Sequence, residues 1–265
     1  MQDKIKNIIS KLAVNQHPLP VCKKELEIAL NNLVDILFYC NDRNTKPAEQ
    51  KLTEVYQLLE NNISKLNVKN TKEVVDKFFD SLITVQGKLL EDAKTFVEND
   101  PAAKSVEEVI ITYPGFYALE VYRLSHELYK LNVPVVPRLF SEYAHSKVGV
   151  DIHPGAIIGK NCFLDHGTGI VIGETCIIGN NVKIYQGVTL GALHVKKISK
   201  QKRHPTVEDN VVIYAGATIL GGETTIGHNS TIGGNSWITN SVKPFSLVQN
   251  NAEIEIKDKK NRLSN

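Results

Sequence analysis

Residues 170–191 read IVIGETCIIGNNVKIYQGVTLG. Within this stretch an aliphatic residue returns at every sixth position: Ile172, Ile178, Ile184, Leu190. Gly173, Gly179 and Gly191 follow three of them, and Cys176, Val182 and Val188 stand four places after the first three. A period of six matches neither the 3.6 of an amphipathic helix nor the strict alternation of a half-buried strand. It matches a solenoid in which each hexapeptide forms one flat side of a triangular coil. The aliphatic residues stack inside, and the small ones fit the corners.

Working outward, the series begins with Ile152, Ile158 and Leu164 and continues through Val207, Ile213, Ile219, Ile226, Ile232 and Ile238. Ala156, Cys162, Thr168, Ala217, Ser230 and Ser236 are read as further corner residues. Three interruptions break the register. Leu164 to Ile172 holds two extra residues, Ile219 to Ile226 holds one, and residues 191–206, GALHVKKISKQKRHPT, form a longer insertion. Insertions in a solenoid become loops on one face, often the binding face. Two of these three carry His166 and the pair Arg203-His204.

Upstream the grammar is helical. Only Gly87 and Gly115 of the seventeen glycines precede residue 147. Apolar residues recur at three- and four-residue spacing in residues 25–39, 51–63, 71–97 and 113–132. Asp100-Pro101 reads as a helix start, with Asp at the cap, and Pro134 and Pro137 break the last helix. The expected fold class is α + β: an N-terminal all-α domain over 1–146, a left-handed parallel β-helix of hexapeptide repeats over 147–245, and a charged tail over 246–265. Because its coils bury one another, the β-helix is expected to fold without the helices.

Composition narrows the function. A net charge of +2 over 265 residues creates no strong field toward nucleic acid or a membrane surface. The four cysteines (Cys22, Cys40, Cys162, Cys176) form no CxxC pair and have no metal-ligand spacing, so they read as buried free thiols in a reducing compartment. The first twenty residues lack the apolar centre of a secretory signal, and no run reaches the ~18 apolar residues of a membrane span. The expectation is a soluble cytoplasmic protein with neither nucleic acid nor membrane as partner.

The sharpest feature is FLDHGTGIVIG (163–173), which sets Asp165-His166 inside an aliphatic run. Titratable groups are costly there unless they face water or each other. Histidine is the side chain best matched to take and return a proton near neutral pH. Asp151, in VDIHP (150–154), could reach His166, fix its tautomer and steady the imidazolium, as an activated hydroxyl requires. Equally, His166 could cap a turn that Asp165 supports. His153, His194, His204 and His228 also lie in the repeat half, but without the spacing of a three-histidine metal site, and no metal is expected. The segment holding Lys196, Lys197, Lys200, Lys202 and Arg203 reads either as a solvated loop or as an anion clamp, with Arg203's fork the specific contact.

Seven strings together resemble one family: NDPAA (99–103), GFYALEVYRLSH (115–126), VDIHPGAIIG (150–159), LDHGTGIVIGE (164–174), VTLGA (188–192), RHPTVEDNV (203–211) and AGATILGG (215–222). They resemble the serine O-acetyltransferases, hexapeptide-repeat enzymes that use acetyl-CoA. The resemblance covers about residues 75–245 and includes the helical half. It implies His166 as general base with Asp151 as its orienting partner. It also implies Asp100 and Asp165 on the serine ammonium, Arg203 and His204 on the carboxylate, and Gly191, Ala192, Ala215 and Gly234 lining the acetyl-CoA cleft.

The implied reaction is direct transfer to the L-serine hydroxyl, giving O-acetylserine for cysteine synthesis. The implied assembly is a homotrimer, with pairing of trimers left open. The chain departs from the family in the loop after VTLG, in the turn after Pro244, and at its end. Members that bind the next enzyme, O-acetylserine sulfhydrylase, often end in isoleucine. Asn265 makes that complex doubtful. The competing readings are acetylation of another small hydroxyl acceptor and a non-catalytic β-helix scaffold. Asp100 and Arg203 together suit a zwitterion better than a sugar.

Overall fold

The computed structural model describes residues 1–14, 19–38, 46–193 and 201–251. Expectations that rest on Cys40, on His194, Lys196, Lys197 and Lys200, and on the tail to Asn265 lie outside these residues. Among the described residues the helices are α1 (Gln2–Val14), α2 (Lys23–Leu37), α3 (Ala48–Ser64), α4 (Thr71–Asn99), α5 (Val106–Thr112), α6 (Pro114–Lys130) and α7 (Val136–Val148). Their cores follow from spacing: α4 buries Val75, Phe78, Val85, Leu89, Ala93 and Phe96, one stripe of a 3.6-residue period. Helix α6 is buried nearly all round, from Phe116 to Leu128, because helices cover one side and the β-helix the other. Pro137 ends nothing; it sits in the first turn of α7, where its missing N–H costs no hydrogen bond.

The second half is a left-handed parallel β-helix. Strands β1 (Asp151–Ile152), β4 (Val171–Ile172), β7 (Thr189–Gly191), β10 (Thr218–Leu220) and β13 (Trp237–Ile238) form the first sheet in that order. Strands β2 (Ile157–Ile158), β5 (Ile177–Ile178), β8 (Thr206–Val207) and β11 (Thr225–Ile226) form the second. Strands β3 (Phe163–Leu164), β6 (Lys183–Ile184), β9 (Val212–Ile213), β12 (Thr231–Ile232) and β14 (Leu247–Val248) form the third. The aliphatic series stacks in register inside, as Ile152–Ile172–Leu190–Ile219–Ile238 on the first sheet. All of these side chains are buried. Corner asparagines Asn161, Asn181 and Asn210 adopt positive φ near 57°, a conformation asparagine tolerates, and their side chains form a ladder at 2.8 and 2.9 Å.

The β-helix does not stand free of the helices. Its first coil has no coil above it, and helical side chains take up the backbone groups left over. Tyr122 Oη donates to Ala156 O at 2.7 Å and accepts from Ile158 N at 3.1 Å. Arg123 donates to Gly159 O at 2.9 Å, and Asp92 accepts from Cys162 N at 3.0 Å. Arg123 and Asp92 are themselves a buried ion pair at 2.6 Å, and Phe96 meets Phe163 edge-on at 4.8 Å. Without α4 and α6 the coil would expose apolar surface and orphan these groups, a cost that weighs against the expectation that the β-helix folds without the helices.

Other differences are local. Thr168 is exposed and Ile170 fills its corner, because the insertion shifts the register by two. Strand β14 carries the coil past residue 245, into the stretch read as tail, by pairing with β12. Cys162 and Cys176 are buried, but Cys22 is exposed, at the start of α2.

Candidate active site

The candidate side chains collect along the two edges of the first sheet. Where the third sheet turns into the first, the chain repeats one corner in four coils. Leu164, Ile184, Ile213 and Ile232 are in register, so the next residues, Asp165, Tyr185, Tyr214 and Gly233, stack in a column. Gly187 N donates to Thr168 O, Gly216 N to Gln186 O, and Asn235 N to Ala215 O. Thr168, Gln186, Ala215 and Gly234 thus form the adjoining column.

The two extra residues of the first coil are therefore His166 and Gly167. They are looped out of the wall with φ of 56° and 77°, and His166 is left with 68% of its side chain exposed. A left-handed histidine is uncommon, and such strain clusters at functional sites. Its Nε2 lies 3.5 Å from Asp165 Oδ2.

The helices close over this corner. Gly115 at the start of α6 comes so near that a Cβ there would lie 2.1 Å from Leu164 O, so only glycine permits the approach. That contact brings in Tyr113 and Asp100. Asp100 does not begin a helix: it is the C-cap of α4, and Ser105 caps α5. Tyr113 Oη donates to Asp100 Oδ2 at 2.7 Å, and Ala102 N donates to Oδ1 at 2.8 Å. These bonds hold the Asp100 carboxyl below its usual range, helped by the nearby His166, and push Tyr113 up to about 12. Tyr185, pushed upward first by burial, feels both Asp165 and Asp100.

The opposite edge, where the first sheet turns into the second, is built from other groups. Arg203 Nη2 pairs with Glu174 Oε2 at 2.6 Å. His204 is buried against Gly173, whose missing side chain leaves room for the ring. Its Nδ1 accepts from Thr175 N at 3.1 Å, so a proton on the neutral ring belongs to Nε2. Burial and then Arg203 lower its pKa to about 4, so His204 is neutral at physiological pH, and the positive charge here comes from Arg203 and from Lys202, whose Nζ donates to His204 O at 2.6 Å. His153, lowered mainly by burial, accepts from Gly155 N at 3.0 Å. Gly191 and Ala192 lie on this edge, whereas Ala215 and Gly234 lie on the other.

One chain does not bring all these residues together. The sheet between the edges is about 15 Å wide at ~3.3 Å per residue. Among the described residues Asp151 does not bond His166. It faces Arg138 at 3.5 Å on the outer surface of the sheet. Glu142, His145 and Asp151 form an acidic cluster with ligand atoms within 4.8 Å of one another, but Arg138 pairs with both Glu142 and Asp151 and already supplies a cation. Sequence reasoning missed Tyr113, Tyr185, Tyr214 and Gln186. The six-residue register held the signal for the last three, since it puts them in line with Asp165 and Ala215.

No protein-family model matches the chain. It is 47% identical over 185 residues to the plasmid serine acetyltransferase of Synechococcus elongatus, covering 68% of this chain and 58% of that protein. The curated relatives it matches are spanned over only 52–62% of their length. Among solved structures, serine acetyltransferase isoform 3 from Entamoeba histolytica, in complex with cysteine, aligns with TM-score 0.80 and 34% identity over 89% of this chain and 86% of that one. Serine acetyltransferase from Brucella abortus, in complex with coenzyme A, aligns with TM-score 0.61 and 28% identity over 87% and 79%.

Proposed function

The chain belongs to the serine acetyltransferase family, and from that premise we propose that it transfers acetyl from acetyl-CoA to the hydroxyl of L-serine. The observation that carries the reading is the Asp165-His166 corner: a two-residue insertion lifts a histidine out of an aliphatic wall beneath the Asp100 carboxylate. Asp100 and Asp165 take the substrate ammonium. Arg203 takes the carboxylate through its fork, with His204 beside it as a neutral hydrogen-bond donor. The zwitterion thus needs both edges, and they meet where two copies abut. The assembly proposed is a homotrimer in which the His166 edge of one copy faces the Arg203 edge of the next. That contact also lets Asp151 of a neighbouring copy orient His166. The location proposed is the cytoplasm.

In the reaction His166 accepts the serine hydroxyl proton as the oxygen attacks the thioester carbonyl. Backbone N–H groups near Gly191 and Ala192 steady the oxyanion. Collapse breaks the carbon–sulfur bond, and the imidazolium returns the proton to the CoA thiolate. No acyl-enzyme forms, because the acceptor is itself the nucleophile. The acetyl-CoA arm runs along the column Gln186–Ala215–Gly234, at about 4.8 Å per coil. The test follows free thiol when the purified protein is mixed with acetyl-CoA and, in turn, L-serine, a sugar and other hydroxy acids. Thiol release with L-serine is expected. Release with a sugar alone, or with nothing, would remove the proposal.

A further inference from the structure

We infer that Tyr185, braced by Tyr214, is the specificity-determining wall that limits the acceptor to a short hydroxy amino acid. The inference rests on the reading above, but the observations behind it are separate. Tyr185 stands one coil below Asp165 in the same column, about 4.8 Å further along the edge. Its ring is clamped between two others. Phe163, fully buried, meets it edge-on at 6.3 Å, and Tyr214 stacks on it at 5.0 Å with an interplanar angle of 22°.

A half-buried ring held from both sides has little freedom to swing away, so it is a wall rather than a flap. The wall borders the right space. Asp165 is the next residue up the column from Tyr185, and the Tyr185 pKa, raised first by burial, is raised further by Asp165 and, least, by Asp100. An amino acid whose ammonium lies on Asp100 and Asp165, with its hydroxyl toward His166, has the Tyr185 ring beneath its side chain. Serine ends at that hydroxyl. Homoserine, one methylene longer, must drive the chain into the ring or lift the hydroxyl off His166. One methylene in a fitted pocket changes kcat/KM by roughly 10–200-fold.

The experiment compares kcat/KM for L-serine and L-homoserine, with acetyl-CoA fixed, in the wild type and in Tyr185→Leu, Tyr185→Phe and Tyr214→Ala. Tyr185→Leu is expected to reduce the preference for serine at least about tenfold, because leucine leaves the ring's volume open. Tyr185→Phe keeps the wall and should keep the preference. Tyr214→Ala should lie between them. A preference unchanged in Tyr185→Leu overturns the inference. So does a change that appears instead between propionyl-CoA and acetyl-CoA with serine fixed, since the ring would then border the acyl group. A wild type that releases no thiol with serine overturns the functional reading and this inference together. A wild type that does, with an unmoved Tyr185→Leu preference, overturns only the inference.

Discussion

The two edges of the first sheet share one backbone pattern and carry opposite chemistry. One gathers Asp165 and His166, with Asp100 and Tyr113 lowered onto it from the helices. The other gathers Arg203, His204 and His153, anchored by Glu174, Thr175 and Gly155. The difference teaches that the repeat supplies position and the interruptions supply chemistry. A corner that keeps the six-residue register yields Gly187 or Gly216; an insertion yields His166 or Arg203. On the proposed reading neither edge suffices alone, since an ammonium suits the first and a carboxylate the second.

The largest effect separating the edges belongs to the base. His166→Ala should lower kcat by about 10²–10⁴-fold while acetyl-CoA binding, measured by calorimetry, survives. Near-normal turnover would reduce the first edge to a turn. Next comes recognition. Asp100→Asn removes a charge-assisted contact of about 1.5–3 kcal/mol, so the KM for serine should rise roughly ten- to a hundredfold with that for acetyl-CoA little changed. On the opposite edge Arg203→Lys should also raise the KM for serine, by about tenfold, through loss of the fork. A change in the KM for acetyl-CoA instead would move Arg203 to the phosphate side. Tyr113→Phe should cost only a few-fold in the KM for serine, since it removes the support of Asp100 and not the carboxylate.

The smallest effect lies away from both edges and serves as their control. Glu120 is buried on α6, and its Oε1 has no hydrogen-bond partner among the described residues. Burial, then the Asp35 charge, raises its pKa from 4.5 to about 8. Folding therefore favours the protonated acid. The stability this group contributes is complete below the unfolded value and lost as pH rises through about 8. Glu120→Gln should match wild-type Tm at pH 5 and exceed it by several degrees at pH 9, read by thermal unfolding. Equal Tm values at pH 9 would contradict the shift.

Much of this was legible in the sequence, for a physical reason. The interior of a β-helix stacks like on like, so Ile172, Ile178 and Ile184 write the fold in their spacing, and the insertions announce themselves as breaks. The place of Asp100 was not legible. Asp-Pro is a helix start by local preference, yet here Asp100 closes α4 and Tyr113 holds it. The dependence of the first coil on Asp92, Tyr122 and Arg123 was invisible, because it joins residues up to 70 apart in the chain. Tyr185 was passed over because an aromatic after an aliphatic position reads as surface until the columns are aligned.

The claim that the site is divided between copies is tested most directly by mixing two inactive chains. His166→Ala chains keep an intact Arg203 edge, and Arg203→Ala chains keep an intact His166 edge. Each variant alone should be nearly inactive at low serine. Co-expressed at equal levels in a trimer whose sites lie between neighbours, they should regain about a quarter of wild-type activity, because one in four random interfaces pairs two intact edges. A mixture no more active than its components would contradict a divided site.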